Sequence, residues 1–60
     1  MSKKKLRVLV VDDSAYNRRA ITEILESAGD IAVVATASDG EEGLKQAIAL
    51  KPDVITLDLE

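Results

Sequence analysis

Residues 8–11 read VLVV, an unbroken apolar run that stops on two adjacent carboxylates, Asp12 and Asp13, and a hydroxyl, Ser14. A run that is apolar at every position suits a strand covered on both faces, as in the middle of a parallel sheet. Two acids at its exit are costly unless a cation or hydrogen-bond donors meet them. The chain closes on a second version of the same pattern: residues 54–60, VITLDLE, deliver another carboxylate, Asp58. The functional question is whether those three acids meet.

Length sets the next limit. Sixty residues make at most one small domain, and a chain of this size buries only about 60% of the surface its unfolded form exposes. Cysteine and histidine are both absent. Disulfides, thiolate zinc sites, cysteine nucleophiles and imidazole bases are therefore excluded. The lack of cysteine agrees with a reducing cytoplasm, the expected location. With 47% apolar and 32% charged residues the composition is that of a globular chain. A net charge of −3 gives no bulk attraction to nucleic acid or anionic lipid, and neither is an expected partner. The basic opening MSKKKL runs into Asp12 and Asp13 too soon for a signal peptide, and nothing approaches a membrane span. The lysines at 3–5 read as a solvated leader.

Local patterning predicts the order β-α-β-α-β. Strand one covers 6–11. Tyr16, Ala20, Ile21, Ile24, Leu25 and Ala28 then recur on one face of a helix, with Asn17, Arg18, Glu23 and Glu26 toward water. Asp13 or Ser14 caps that helix, Arg19 and Glu23 pair across one turn, and Gly29 ends it. Residues 31–36 form a second strand rich in β-branched side chains. Ser38 or Asp39 opens a second helix with Glu41 and Glu42 in its first turn, Glu41–Lys45 as a surface pair, and Leu44, Ala47 and Ile48 as its apolar stripe. Pro52 stops it before a third strand at 54–57. This alternation defines an α/β fold with a parallel sheet. Right-handed crossovers and converging acids give strand order 2-1-3 with one helix on each face. The gap between strands one and three is then a switch point, where open α/β sheets bind ligands beyond the strand ends.

Three carboxylates in one crevice repel one another, and a divalent cation relieves the conflict. An all-oxygen donor set selects a hard ion, with magnesium the natural choice and manganese or calcium open alternatives. A carboxylate beside such an ion can attack phosphorus to give an aspartyl phosphate. The competing interpretation is bland: acids at strand ends often serve only as helix caps or turn formers. Gly29, Gly40 and Gly43 match no phosphate-binding loop and read as punctuation. Tyr16, the only aromatic residue, reads as packing.

With these residues in view, a family resemblance emerges. VLVVDDS at 8–14, DG at 39–40 and KPDVITLDLE at 51–60 resemble the first half of a two-component response-regulator receiver domain, a flavodoxin-like fold. The chemotaxis receiver is itself the standard illustration of strand order 2-1-3-4-5. DDSAYNRR with TLDLE is most similar to receivers of the chemotaxis protein-glutamate methylesterase type, with single-domain chemotaxis receivers next. The resemblance implies that Asp58 is the phosphoacceptor for a sensor histidine kinase. It implies that Asp12, Asp13 and Asp58, with the backbone carbonyl of Glu60, hold Mg2+.

The sequence departs from that family in length. Receivers have five βα units, whereas this chain stops two residues past Asp58. The expectation is a truncated receiver, first half only, lacking the fourth-strand hydroxyl, the fifth-strand lysine, the aromatic switch residue and any methylesterase domain. Phosphorylation-driven signalling is expected to be impaired. The third strand, left as a bare apolar edge, is expected to pair with another chain and form a homo-oligomer, a symmetric dimer or higher. The alternative function is a structural or engineered half-domain that self-assembles without signalling. A magnesium-dependent phosphatase with an aspartyl nucleophile would want a second acid two residues on; Asp58-Leu59-Glu60 fits this loosely and Asp12-Asp13 does not.

Overall fold

The computed structural model describes residues 4–59. Five elements follow one another: β1 (Leu6–Asp12), α1 (Ala15–Glu26), β2 (Ile31–Ala37), α2 (Gly40–Leu50) and β3 (Val54–Asp58). The three strands form a parallel sheet in the order β2-β1-β3, as the alternation predicts. β1 lies in the middle, and its residues Val8, Leu9, Val10, Val11 and Asp12 are all buried. The apolar run at 8–11 is thus the spine of the sheet. Lys3 and Glu60 lie outside the described residues.

Each helix begins on a side-chain cap. Ser14 Oγ accepts the Asn17 amide at 3.2 Å ahead of α1. Asp39 Oδ1 accepts the Glu42 amide at 2.8 Å, and Glu42 reaches back to the Ser38 amide at 3.0 Å. This is a capping box shifted by one residue. α1 ends at Glu26, and Gly29 turns the chain toward β2 with φ 85°. α2 ends on Lys51, held in the left-handed region at φ 49°, one residue ahead of Pro52. Arg7 fastens the start of β3: its amide donates to Asp53 Oδ2 at 2.9 Å and its guanidinium to the Lys51 carbonyl at 3.0 Å.

Leu9, Val11 and Ala37 form the buried cluster, with Ala35 and Ala47 packed against it. Gly43 brings α2 down onto this cluster; a Cβ there would lie 2.9 Å from Val11 Cγ2. Between β1 and β2 the register slips, since Val8 faces Val33 whereas Leu9 faces Ala35. Val34 is the extra residue of this bulge.

Several expectations about helix faces are corrected. Tyr16 is 82% exposed and Ile24 68%, so neither packs. Arg18, expected in water, is half-buried and donates to the Asp12 carbonyl at 2.7 Å. Leu44 and Ile48 are also largely exposed. The helices pack on β1 and β2 rather than over β3, so only part of each apolar stripe is covered. The Arg19–Glu23 pair forms at 3.2 Å, and among the described residues it is the only ion pair; Glu41–Lys45 is not made.

Candidate functional site

The site is assembled by sheet register. Asp12 ends β1, Asp58 ends β3, and the two are direct partners across the parallel pair. Adjacent strands stand roughly 4.8 Å apart, so their carboxylates leave the sheet side by side. Strand alternation puts Val10 and its partner Thr56 two residues back on the same face.

The two carboxylates have different environments. Asp12 is 1% exposed. Its Oδ1 accepts the Ser14 amide at 2.8 Å, which turns the chain from β1 into the first turn of α1. Its Oδ2 is buried and meets no hydrogen-bond donor. Asp58, at the outer strand, is exposed. Asp13 sits exposed in the bend between β1 and α1, where its own interactions engage it. Glu60 lies outside the described residues, so the carbonyl assigned to it is not seen. Thr56 Oγ1 is a second buried polar atom without a partner.

Among the described residues, no three His, Cys, Asp or Glu side chains draw together into a metal-holding cluster. Magnesium does not need one, because it is held by one or two carboxylates and keeps several waters. A buried carboxylate oxygen with no donor, beside a second carboxylate, is a donor set that suits such an ion. Orphaned buried carboxylate oxygens are expensive to leave unpaired.

Sequence reading missed two residues here. Arg18 ties the Asp12 carbonyl to α1, and the signal for it was its place one helical turn beyond the cap at Ser14. Thr56 lay hidden in an apolar run, and only the register shows that it shares a face with both acids.

An open parallel α/β sheet with acids at the ends of β1 and β3 places them at the switch point, where sheets of this class bind ligands. Comparison with known proteins narrows it. Residues 8–60 match the family model described as the response regulator receiver domain. The chain belongs to that family. It is 60% identical, over 95% of its length, to protein-glutamate methylesterase/protein-glutamine glutaminase 3 of Geobacter sulfurreducens, covering 15% of that protein. It is 61% identical over 98% of its length to the enzyme numbered 1 of Myxococcus xanthus, covering 17% of it. The crystal structure of the response regulator domain of Thermotoga maritima CheB superposes with TM-score 0.92 at 53% identity. That match covers 95% of this chain and 42% of that one. The chain therefore spans less than a fifth of the length of these curated relatives.

Proposed function

We propose that the chain is a phosphoacceptor module of a chemotaxis-type two-component system, in which Asp58 takes a phosphoryl group from a histidine of a sensor kinase. The observation that carries this reading is the register pairing of Asp12 with Asp58, with one oxygen of Asp12 buried and unsatisfied. In this reading Asp12, Asp13, Asp58 and the Glu60 carbonyl hold Mg2+. When bound, the ion neutralises charge on the phosphoryl oxygens and orients them.

The remaining chemistry belongs to the chain. An oxygen of the Asp58 carboxylate attacks phosphorus, and a new P–O bond forms. The bond from phosphorus to the donor atom breaks, and its electron pair leaves with the donor; for a phosphohistidine, this is the imidazole nitrogen. Exposure at the end of an outer strand leaves Asp58 reachable by a protein donor. Burial and the Ser14 amide keep Asp12 fixed beside it. Arg18 holds the same turn from the helix side. Among the described residues no helix is long and apolar enough to cross a membrane. The methylesterase and glutaminase activities named for the relatives reside in proteins several times longer than this chain. For this chain they are proposed only as the output of a parent protein.

Incubation with magnesium and acetyl phosphate, read by intact mass, tests the proposal. The expected result is one phosphoryl adduct that requires magnesium and is absent in Asp58→Asn. No adduct under these conditions overturns it.

A further inference from the structure

β1 and β3 carry two polar atoms that nothing satisfies, and both lie on one face of the sheet. Among the described residues, the buried side-chain oxygens without a hydrogen-bond partner are Asp12 Oδ2 and Thr56 Oγ1. Val10 and Thr56 are register partners, as are Asp12 and Asp58 two residues on. Val11, Ile55 and Leu57 line a hollow with Gly43 and Ala47 of α2, so the alternate positions Val10, Asp12, Thr56 and Asp58 share the face on the α1 side. The hydroxyl thus stands one step below both carboxylates. We infer that Thr56 is a positioning residue of the acidic site, its hydroxyl holding one buried water between itself, Asp12 Oδ2 and the Asp58 carboxylate. This deepens the phosphoacceptor reading and rests on it for what the site does.

The direction of the hydroxyl supports this. Thr56 belongs to the outer strand of the described sheet, where an oxygen turned away from β1 meets solvent. Its Oγ1 is shut off from solvent, so it is turned inward, toward the strand that ends on Asp12. That placement comes from pairing with β1 and is the same whatever lies beyond β3.

Spacing supports it as well. Diagonal neighbours on paired strands stand about 7–8 Å apart, too far for two short side chains to meet, and no direct bond forms between them. Two hydrogen bonds in series through a water span about 5.5 Å, a gap the two side chains leave. Buried waters typically make about three hydrogen bonds to otherwise unsatisfied groups. Here the water accepts from Thr56 Oγ1 and donates once to each carboxylate, which screens the two like charges from one another.

The choice of residue points the same way. Between Ile55 and Leu57 a valine fills the same volume, and a hydroxyl is costly there unless it is bonded. Held by the water, the two carboxylates keep one spacing before a cation or a phosphoryl donor arrives. Groups placed behind a metal's own ligands change its affinity by about 10–100-fold.

Calorimetric titration with magnesium, and urea denaturation in EDTA, test the inference on the 60-residue chain and on Thr56→Val and Thr56→Ser. Thr56→Val keeps the shape and removes the hydroxyl. It should weaken magnesium binding about tenfold and lower the metal-free folding constant about tenfold, and Thr56→Ser should restore both. A Thr56→Val chain as stable in EDTA as the wild type, or more so, overturns the inference, because the hydroxyl is then unbonded. Lost stability with unchanged magnesium affinity also overturns it, because Thr56 then only packs. A wild type that binds no magnesium overturns the phosphoacceptor reading instead, and the metal-free measurement still decides whether the hydroxyl is bonded.

If Thr56→Val does not fold, the comparison moves to Asp12→Asn with and without Thr56→Val. An amide N–H in place of Oδ2 leaves no bare acceptor for the hydroxyl to serve, so the second change should alter the folding constant by less than about twofold. A tenfold loss there as well means that Thr56 acts independently of Asp12, and overturns the inference.

Discussion

Asp12 carries the sharpest conflict in the molecule. It is buried, its Oδ1 is used by the Ser14 amide, and its Oδ2 has no donor although Asp58 stands in register beside it. The proposed cation would relieve this conflict. Asp12→Asn keeps an acceptor for Ser14 and removes one of two neighbouring charges. Its melting temperature without metal should match or exceed that of the wild type. Wild type in magnesium at 100 times its dissociation constant should gain about 2.7 kcal/mol, and Asp12→Asn should lose most of that gain. Thermal melts with and without magnesium measure both. A variant that responds to magnesium like the wild type would remove Asp12 from the metal site. Arg18 shows what residue-level pattern reading could not supply. Its charge suggested water, but a long side chain one turn past a cap can reach back to the strand carbonyl, and here it does.

At the level of elements, β1 was legible because burial on both faces leaves a plain apolar signature, present at every position from Val8 to Val11, whereas β2 and β3 were legible from their β-branched runs although they are only partly covered. Caps were legible to within one residue: of Asp13 or Ser14 and Ser38 or Asp39, the structure uses Ser14 and Asp39. Helix faces were not. Periodicity reports which side chains share a side, but the depth of cover depends on neighbours, and Tyr16, Ile24, Leu44 and Ile48 have few. Gly43 also escaped notice as a packing residue. Its missing Cβ lets α2 approach Val11, where an added carbon would sit 2.9 Å from Cγ2 and 3.3 Å from Cγ1. Helix propensity favours alanine by about 1 kcal/mol, but overpacking costs about 1–3 kcal/mol. Gly43→Ala should therefore lose stability on balance. Gly40→Ala, whose new carbon would meet only Leu59 Cδ1 at 3.7 Å, should be neutral or slightly stabilising. Urea denaturation of the two variants distinguishes them, and equal effects would remove the close-packing role of Gly43.

For the whole molecule, topology followed from two simple rules, right-handed crossovers and convergence of acidic strand ends. The observed order β2-β1-β3 obeys both. Family membership was legible in the same residues, because VLVVDDS and TLDLE encode strand, bend and acid together. The finer placement of side chains was hidden for a physical reason: it depends on register, which links residues more than forty positions apart, such as Asp12 with Asp58 and Val10 with Thr56.

The slip in register beside Val8 also bears on how the chain can change in length. β2 holds a spare position, since Leu9 already faces Ala35 with Val34 left over. A chain lacking Val34 would shorten without reversing the parity of the strand, and Ala35 and Ala37 would still meet Leu9 and Val11. β1 has no such allowance. Deleting any one residue between Val8 and Val11 would turn the rest of that strand inside out, carrying Asp12 to the opposite side of the sheet.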